Sequence, residues 1–197
     1  TFTQAQIDAS EVSYSHDGGE TVSDSFSFSV SDGSGGVIGT TVFAITVTPE
    51  NDTPVVAINT GLTLAEAAPA VINSSMLQVV DADAGDTLTY TVVTPPTNGT
   101  LSPDTSFTQA QIDAGSLSYS HDGDETVSDS FSFSVSDGSG GAIGSTAFAI
   151  TITPVNDNPG VVVNTGLTVA EGAAAVIDNT LLQVTDVDSA SSLLTYT

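Results

Sequence analysis

Along most of the chain, apolar residues occupy every second position and small polar residues fill the gaps. Leu62 and Leu64; Leu88, Tyr90 and Val92; Leu117 and Tyr119; Phe131, Phe133 and Val135; and Phe148, Ile150 and Ile152 all follow this rule, interleaved with Ser, Thr or Ala. A period of two puts alternate side chains on opposite faces of an extended chain, so each run predicts a half-buried β-strand. The stretch FSFSVSDGSGGAIGSTAFAITIT reads as two antiparallel strands joined by a Gly-rich hairpin, because glycine supplies the positive φ that such turns demand. Adding VVAI at 55–58, MLQVV at 76–80 and the turn TPPTNGT gives about seven short strands in roughly 100 residues, the pattern of a Greek-key β-sandwich. One segment departs from the period: in FTQAQIDAG, Thr108 is placed to cap a helical turn carrying Ala110, Gln111 and Ile112 before Gly115 stops it.

The same pattern returns after 105 residues. Phe2–Pro49 aligned on Phe107–Pro154 is identical at 40 of 48 positions. The match runs on from Asn51-Asp52 to Asn156-Asp157 and from Asp81-Ala-Asp83 to Asp186-Val-Asp188, then slips by one residue before LTYT, which marks a loop there. Residues 1–49 are thus the C-terminal part of one repeat, 50–154 a complete repeat and 155–197 the N-terminal part of the next. A segment of a longer array of stacked units is expected.

Charge narrows the functional classes. The 197 residues include 24 Asp and Glu and neither Lys nor Arg, a formal charge of −24. Nucleic acid is excluded as a partner, since phosphate recognition rests on the missing cations, and an anionic membrane surface is excluded for the same reason. There is no cysteine, so thiolate chemistry, disulfides and Cys-ligated metals do not arise. No run approaches the ~20 apolar residues of a membrane span, and no membrane insertion is expected.

The acidic residues recur in fixed register. Each unit places a Glu after its first strand (Glu66, Glu171), a DxD after the next (Asp81 and Asp83, Asp186 and Asp188), an HDG(G/D)E run (Asp17 and Glu20, Asp122 and Glu125) and an NDxP at the unit boundary (Asn51 and Asp52, Asn156 and Asp157). DxD at a strand end aims two carboxylates to one side, and NDxP holds an Asp and an amide carbonyl in an extended, Pro-restricted linker. Two carboxylates within ~4 Å repel by roughly 4 kcal/mol at an effective dielectric of about 20. With no cationic side chain to offset this, a divalent ion is the fitting partner, and Ca²⁺ suits an irregular all-oxygen set better than Mg²⁺ does. Asp and Asn also populate turns for backbone reasons alone, and Asp32 and Asp137 in SDGSGG are read that way, as hairpin residues.

The order AE, DADAGDTLTYT, HDGDET, FSFSVSDG, ITITPVNDNP resembles the motif order of cadherins. It is closer still to the cadherin-like and chondroitin-sulfate-proteoglycan-type tandem repeats of large bacterial adhesins secreted by type I systems. The resemblance implies an all-β chain of tandem seven-stranded Greek-key sandwiches of cadherin or immunoglobulin-like type, secreted to the cell surface, with Ca²⁺ bound where repeats meet. Carried over, one junction would use Asp17, Glu20, Asn51, Asp52, Asp81 and Asp83, and the next Glu66, Asp122, Glu125, Asn156, Asp157, Asp186 and Asp188. HDG(G/D)E replaces the family's LDRE, so either its Asp or its Glu is the ligand.

The expected role is a calcium-stiffened structural extender whose partners are its neighbouring repeats. A self-assembling filament of like chains, or a sandwich face that binds a sugar or a protein, are the alternatives. His16 and His121, beside Tyr14 and Tyr119, are read as structural histidines at a strand end, and no enzyme is expected: no base is paired with an activated hydroxyl in a pocket.

Overall fold

A computed structural model describes all 197 residues, Thr1–Thr197. Within residues 50–154 the alternation becomes two facing layers. The chain forms, in order, β3 (Val55–Asn59), β4 (Leu62–Ala65), β5 (Pro69–Ile72), β6 (Leu77–Val80), β7 (Thr89–Thr94), β8 (Gly99–Ser102) and β9 (Ser106–Thr108). A one-turn helix, α2 (Gln109–Asp113), then leads into β10 (Leu117–His121), β11 (Ser128–Ser136) and β12 (Ala142–Thr153). Ahead of this unit lie α1 (Gln4–Asp8), β1 (Ser23–Ser31) and β2 (Val37–Thr46), and behind it β13 (Gly160–Asn164) and β14 (Leu182–Thr185).

One layer is a five-stranded sheet in the order β4-β12-β11-β7-β9; the other is built from β5-β10-β8 and the β3-β6 ladder. Ten short strands replace the seven expected, and the first of them shows why. Gly61, at φ +80°, breaks the opening strand in two: β3 pairs antiparallel with β6 in one layer, and β4 crosses to pair parallel with β12 in the other. A Cβ at Gly61 would lie 2.7 Å from the Ala149 carbonyl, so the crossover admits only glycine. The β11–β12 hairpin forms as the alternation predicts, with Phe131 opposite Phe148.

The helical turn also forms where expected. Thr108 and Gln111 make a reciprocal capping box, and at the other end Ser116 N–H donates to Gln111 O and Gly115 N–H to Ile112 O, with Gly115 at φ +67°. Its first residue ties the layers together: Gln109 Oε1 accepts the Tyr90 hydroxyl at 2.6 Å and the Val79 N–H at 2.9 Å, which satisfies a phenol buried in the core. A second buried phenol is held at the opposite edge. Tyr119 donates to Asp129 at 2.9 Å, and the same carboxylate accepts the N–H groups of Thr97 and Asn98, pinning the turn before β8.

The inward positions merge into one core of 18 residues, all between Leu62 and Ile152, in which Tyr90 stacks on Phe107 and Phe131 packs on Phe148. The flanking segments repeat the local structure without that core. α1 carries the same capping box and β1–β2 the same register as their counterparts, yet they have no facing layer in this chain. Phe131 is 1% exposed; its counterpart Phe26 is 39% exposed.

That pair isolates the value of the facing layer. In urea unfolding of the whole chain, Phe131→Ala is expected to cost about 3–5 kcal/mol and Phe26→Ala under about 1 kcal/mol. Equal losses would show that the core does not depend on the second layer.

Candidate functional site

The parallel β4–β12 pairing decides where the repeat's first acidic residue points. Glu66 follows β4 directly, its N–H donates to Thr153 O at 3.0 Å, and its Oε2 accepts the Val155 N–H at 3.1 Å. The side chain is thereby buried against the strand that leaves for the next repeat. Glu125, in the β10–β11 loop, and Asp157, in the linker, come to the same point: one carboxylate oxygen from each of the three lies within 4.8 Å of the others.

The far side of the junction is held by its own hydrogen bonds. Asp157 N–H donates to Asp188 at 2.5 Å, while Asp188 N–H and Ser189 N–H donate to Asp186 at 3.1 and 2.7 Å. Asn156 closes on the Asp157 carbonyl at 2.6 Å. Desolvation, and then the charges of Asp188, Glu66 and Asp157, push the Glu125 carboxyl above its usual range. No Lys or Arg exists to relieve this crowding.

The other junction repeats the arrangement 105 residues earlier. Asp52 N–H donates to Asp83 at 2.6 Å, Asp83 N–H donates to Asp81 at 3.0 Å, and Asn51 closes on the Asp52 carbonyl at 2.9 Å. Glu20 is likewise pushed up, by desolvation first and then by Asp83 and Asp52.

A second carboxylate group lies deeper, between the DxD loop and the β11–β12 hairpin. Asp81, Asp86 and Asp137 each place an oxygen within 4.8 Å of the others. Asp137 is 2% exposed and accepts the N–H groups of Ser139, Gly140 and Gly141 and the Asn51 amide. The Asn51 amide does most to hold its carboxyl below the usual range; burial opposes this, and the three N–H groups add to it. By contrast, Asp81 Oδ2 and Asp86 Oδ2 are buried and accept no hydrogen bond. A buried carboxylate oxygen without a donor is costly, and a hard cation is the partner that such oxygens fit.

Of the residues expected at the junctions, Glu66, Glu125, Asp157 and Asp188 therefore converge, with Asn156 and Asp186 bracing them. Glu20, Asp52 and Asp83 converge in the same register, braced by Asn51 and Asp81. Asp17 and Asp122 lie elsewhere: Asp122 groups with His121 and Asp124, and Asp17 accepts the Gly19 N–H in its own turn beside His16. Within HDG(G/D)E it is the Glu that faces the junction. Asp137 is the hairpin residue anticipated and also a wall of the deeper group. Asp86 carried no sequence signal, since position 191, one period later, is a serine.

A β-sandwich whose acidic loops close on the linker to its neighbour is the pattern of a cadherin-like repeat. The family model of cadherin-like domains matches residues 1–47 and 54–152, and the chain belongs to that family. Human extracellular matrix organizing protein FRAS1 is 36% identical over 207 residues, covering all of this chain and 5% of that protein. Human chondroitin sulfate proteoglycan 4 is 37% identical over 212 residues, covering all of this chain and 9% of that protein. Extracellular matrix protein 3 of Lytechinus variegatus is 33% identical over 193 residues, covering 92% of this chain and 6% of that protein. The chain thus spans less than a tenth of the length of these relatives. No helix is long and apolar enough to cross a membrane.

The linker's seat depends on one glycine. A Cβ at Gly141 would meet Asp137 Oδ2, the Asp52 carbonyl at 2.9 Å and Pro54 Cδ at 3.0 Å, whereas one at Gly144 would meet nothing. Gly141→Ala is expected to lower stability in urea by about 1–3 kcal/mol and Gly144→Ala by under about 0.5 kcal/mol. Equal effects would mean that the linker does not pack on the hairpin.

Proposed function

We propose that this chain is a spacer segment of a large extracellular protein, in which successive sandwiches are stiffened at their junctions by Ca²⁺. The observation that carries the proposal is the convergence of Glu66 and Glu125 from one repeat with Asp157 from the linker to the next, all within 4.8 Å and without a cationic side chain in the chain. The donor sets fit the ion: every ligand atom is a carboxylate oxygen, and in the deeper group of Asp81, Asp86 and Asp137 two of those oxygens are buried and lack any partner. Glu66, Glu125, Asp157 and Asp188 would hold an ion between repeats, Glu20, Asp52 and Asp83 its equivalent one period earlier, and Asp81, Asp86 and Asp137 an ion at the base of the linker. Bound there, Ca²⁺ supplies the positive charge that the side chains lack.

The 105-residue repeat supports the matching division of the chain. Residues 50–154 act as a unit, with 1–49 and 155–197 belonging to the units on either side, and the immediate partners are neighbouring repeats of the same array. The extracellular setting accords with relatives named as matrix proteins and a proteoglycan. In the bacterial setting that the sequence resemblance implies, the same device would extend a surface adhesin. No catalytic step belongs to this reading.

Ca²⁺ titration of the chain is expected to raise the thermal midpoint by roughly 5 °C or more at saturation and to lengthen and narrow the particle seen by small-angle scattering. An unchanged midpoint and shape would contradict the proposal. Glu125→Gln should invert sign with conditions. In chelator it removes one crowded charge and leaves stability equal or higher; in Ca²⁺ it removes a ligand and lowers the midpoint below wild type. A loss of the same size in both conditions would show that Glu125 acts only through packing.

A further inference from the structure

His121 ends β10 and is 4% exposed, yet its ring makes three hydrogen bonds, two to its own loop and one to the turn after β4. Nδ1 accepts the N–H of Gly123 at 3.2 Å and the N–H of Ala67 at 3.4 Å, and Nε2 lies 3.0 Å from the Thr126 hydroxyl. A nitrogen that accepts two N–H groups carries no hydrogen of its own, so the ring proton sits on Nε2 and points to Thr126. Thr126 in turn donates to Asp124 at 2.5 Å, which leaves its oxygen free to accept from the ring.

The partners are placed with economy. Ala67 follows Glu66 and is one of two non-glycine residues at positive φ, +54°. Thr126 follows Glu125. Each of the two glutamates that this repeat sends to the junction is therefore one residue away from a bond to the same imidazole. The counterpart ring shows which bond is the added one. His16 makes the two local contacts, Gly18 N–H to Nδ1 at 3.2 Å and Nε2 to Thr21 at 2.7 Å. Its own loop thus sets the ring's orientation, and in the complete repeat the second lone-pair partner of Nδ1 is the turn that carries Glu66.

We infer that His121 is a positioning residue for the junction site: an Nε2-protonated imidazole that clamps the Glu66 turn to the Glu125 loop, so that both carboxylates meet Asp157. The site's role as a Ca²⁺ junction rests on the reading given under Proposed function; the clamp itself does not require the ion. Hydrogen-bond partners that orient ligands typically contribute tenfold to a hundredfold in metal affinity.

The test uses the full 197-residue chain with ¹⁵N-labelled imidazoles, the two histidine signals being assigned with a His16→Gln variant. The expected spectrum places the His121 hydrogen on Nε2. His121→Leu should speed Ala67 amide exchange about tenfold or more and weaken Ca²⁺ binding at the Glu66, Glu125, Asp157 site about tenfold. His121→Asn, whose Oδ1 stands near the place of Nδ1, should restore Ala67 protection and most of the affinity, and His121→Gln should restore neither. The Asn and Gln pair decides the question if the leucine variant fails to fold. An Nδ1-protonated ring overturns the inference, as does Ala67 exchange that moves only with the global melting of each variant. If wild type binds no Ca²⁺ at all, the junction reading falls, and the tautomer and the Ala67 amide alone decide the clamp.

Discussion

Carboxylates without a counter-charge are the constraint around which this chain is organised. An ordinary domain brings Asp and Glu together by setting a Lys or Arg between them; here none exists. The side chains that converge at the junctions are restrained by backbone N–H groups on their outer oxygens, as with Asp157 N–H on Asp188 and Val155 N–H on Glu66. Those bonds fix where the carboxylates stand, and they leave the inner oxygens facing one another. In the deeper group, one oxygen each of Asp81 and Asp86 is buried and unpaired. Backbone donors alone do not remove the repulsion between the charges they position, so these clusters are groups that could hold a metal ion.

The hydrophobic pattern and the acidic pattern serve this arrangement at different levels. Alternation builds the two layers, and the core between Leu62 and Ile152 holds them together. The crossover at Gly61 then sends β4 alongside β12, which delivers Glu66 to the exit strand and therefore to the junction. Packing and charge meet again at Gly141, where the absence of a side chain lets the linker lie on the hairpin that carries Asp137. Each acidic residue is placed by an element whose own stability comes from apolar burial or backbone pairing.

Much of this is legible in the sequence, for identifiable reasons. Period-two alternation in FSFSVS and AFAITIT speaks directly of a hairpin, and Thr108 with Gln111 announces a capped helical turn. The 105-residue repeat brings out the acids by their fixed register. The parallel β4–β12 pairing is not legible, since partners 88 residues apart, such as Leu62 and Ile150, leave no local turn signal. Asp137 reads as a turn residue because the same three N–H groups satisfy it whether or not Asp81 and Asp86 stand beside it. Asp86 lies in the loop where the repeat slips register, so periodicity passes over it. The choice between Asp122 and Glu125 needed the loop's path, which turns Asp122 toward His121 and Glu125 toward Asp188.

The most direct measurement is a crystal structure of the chain grown in Ca²⁺. The account predicts an ion bound about 2.3–2.6 Å from carboxylate oxygens of Glu66 and Glu125 on one side and Asp157 on the other. Junction carboxylates turned apart into solvent, with no ion between them, would contradict it.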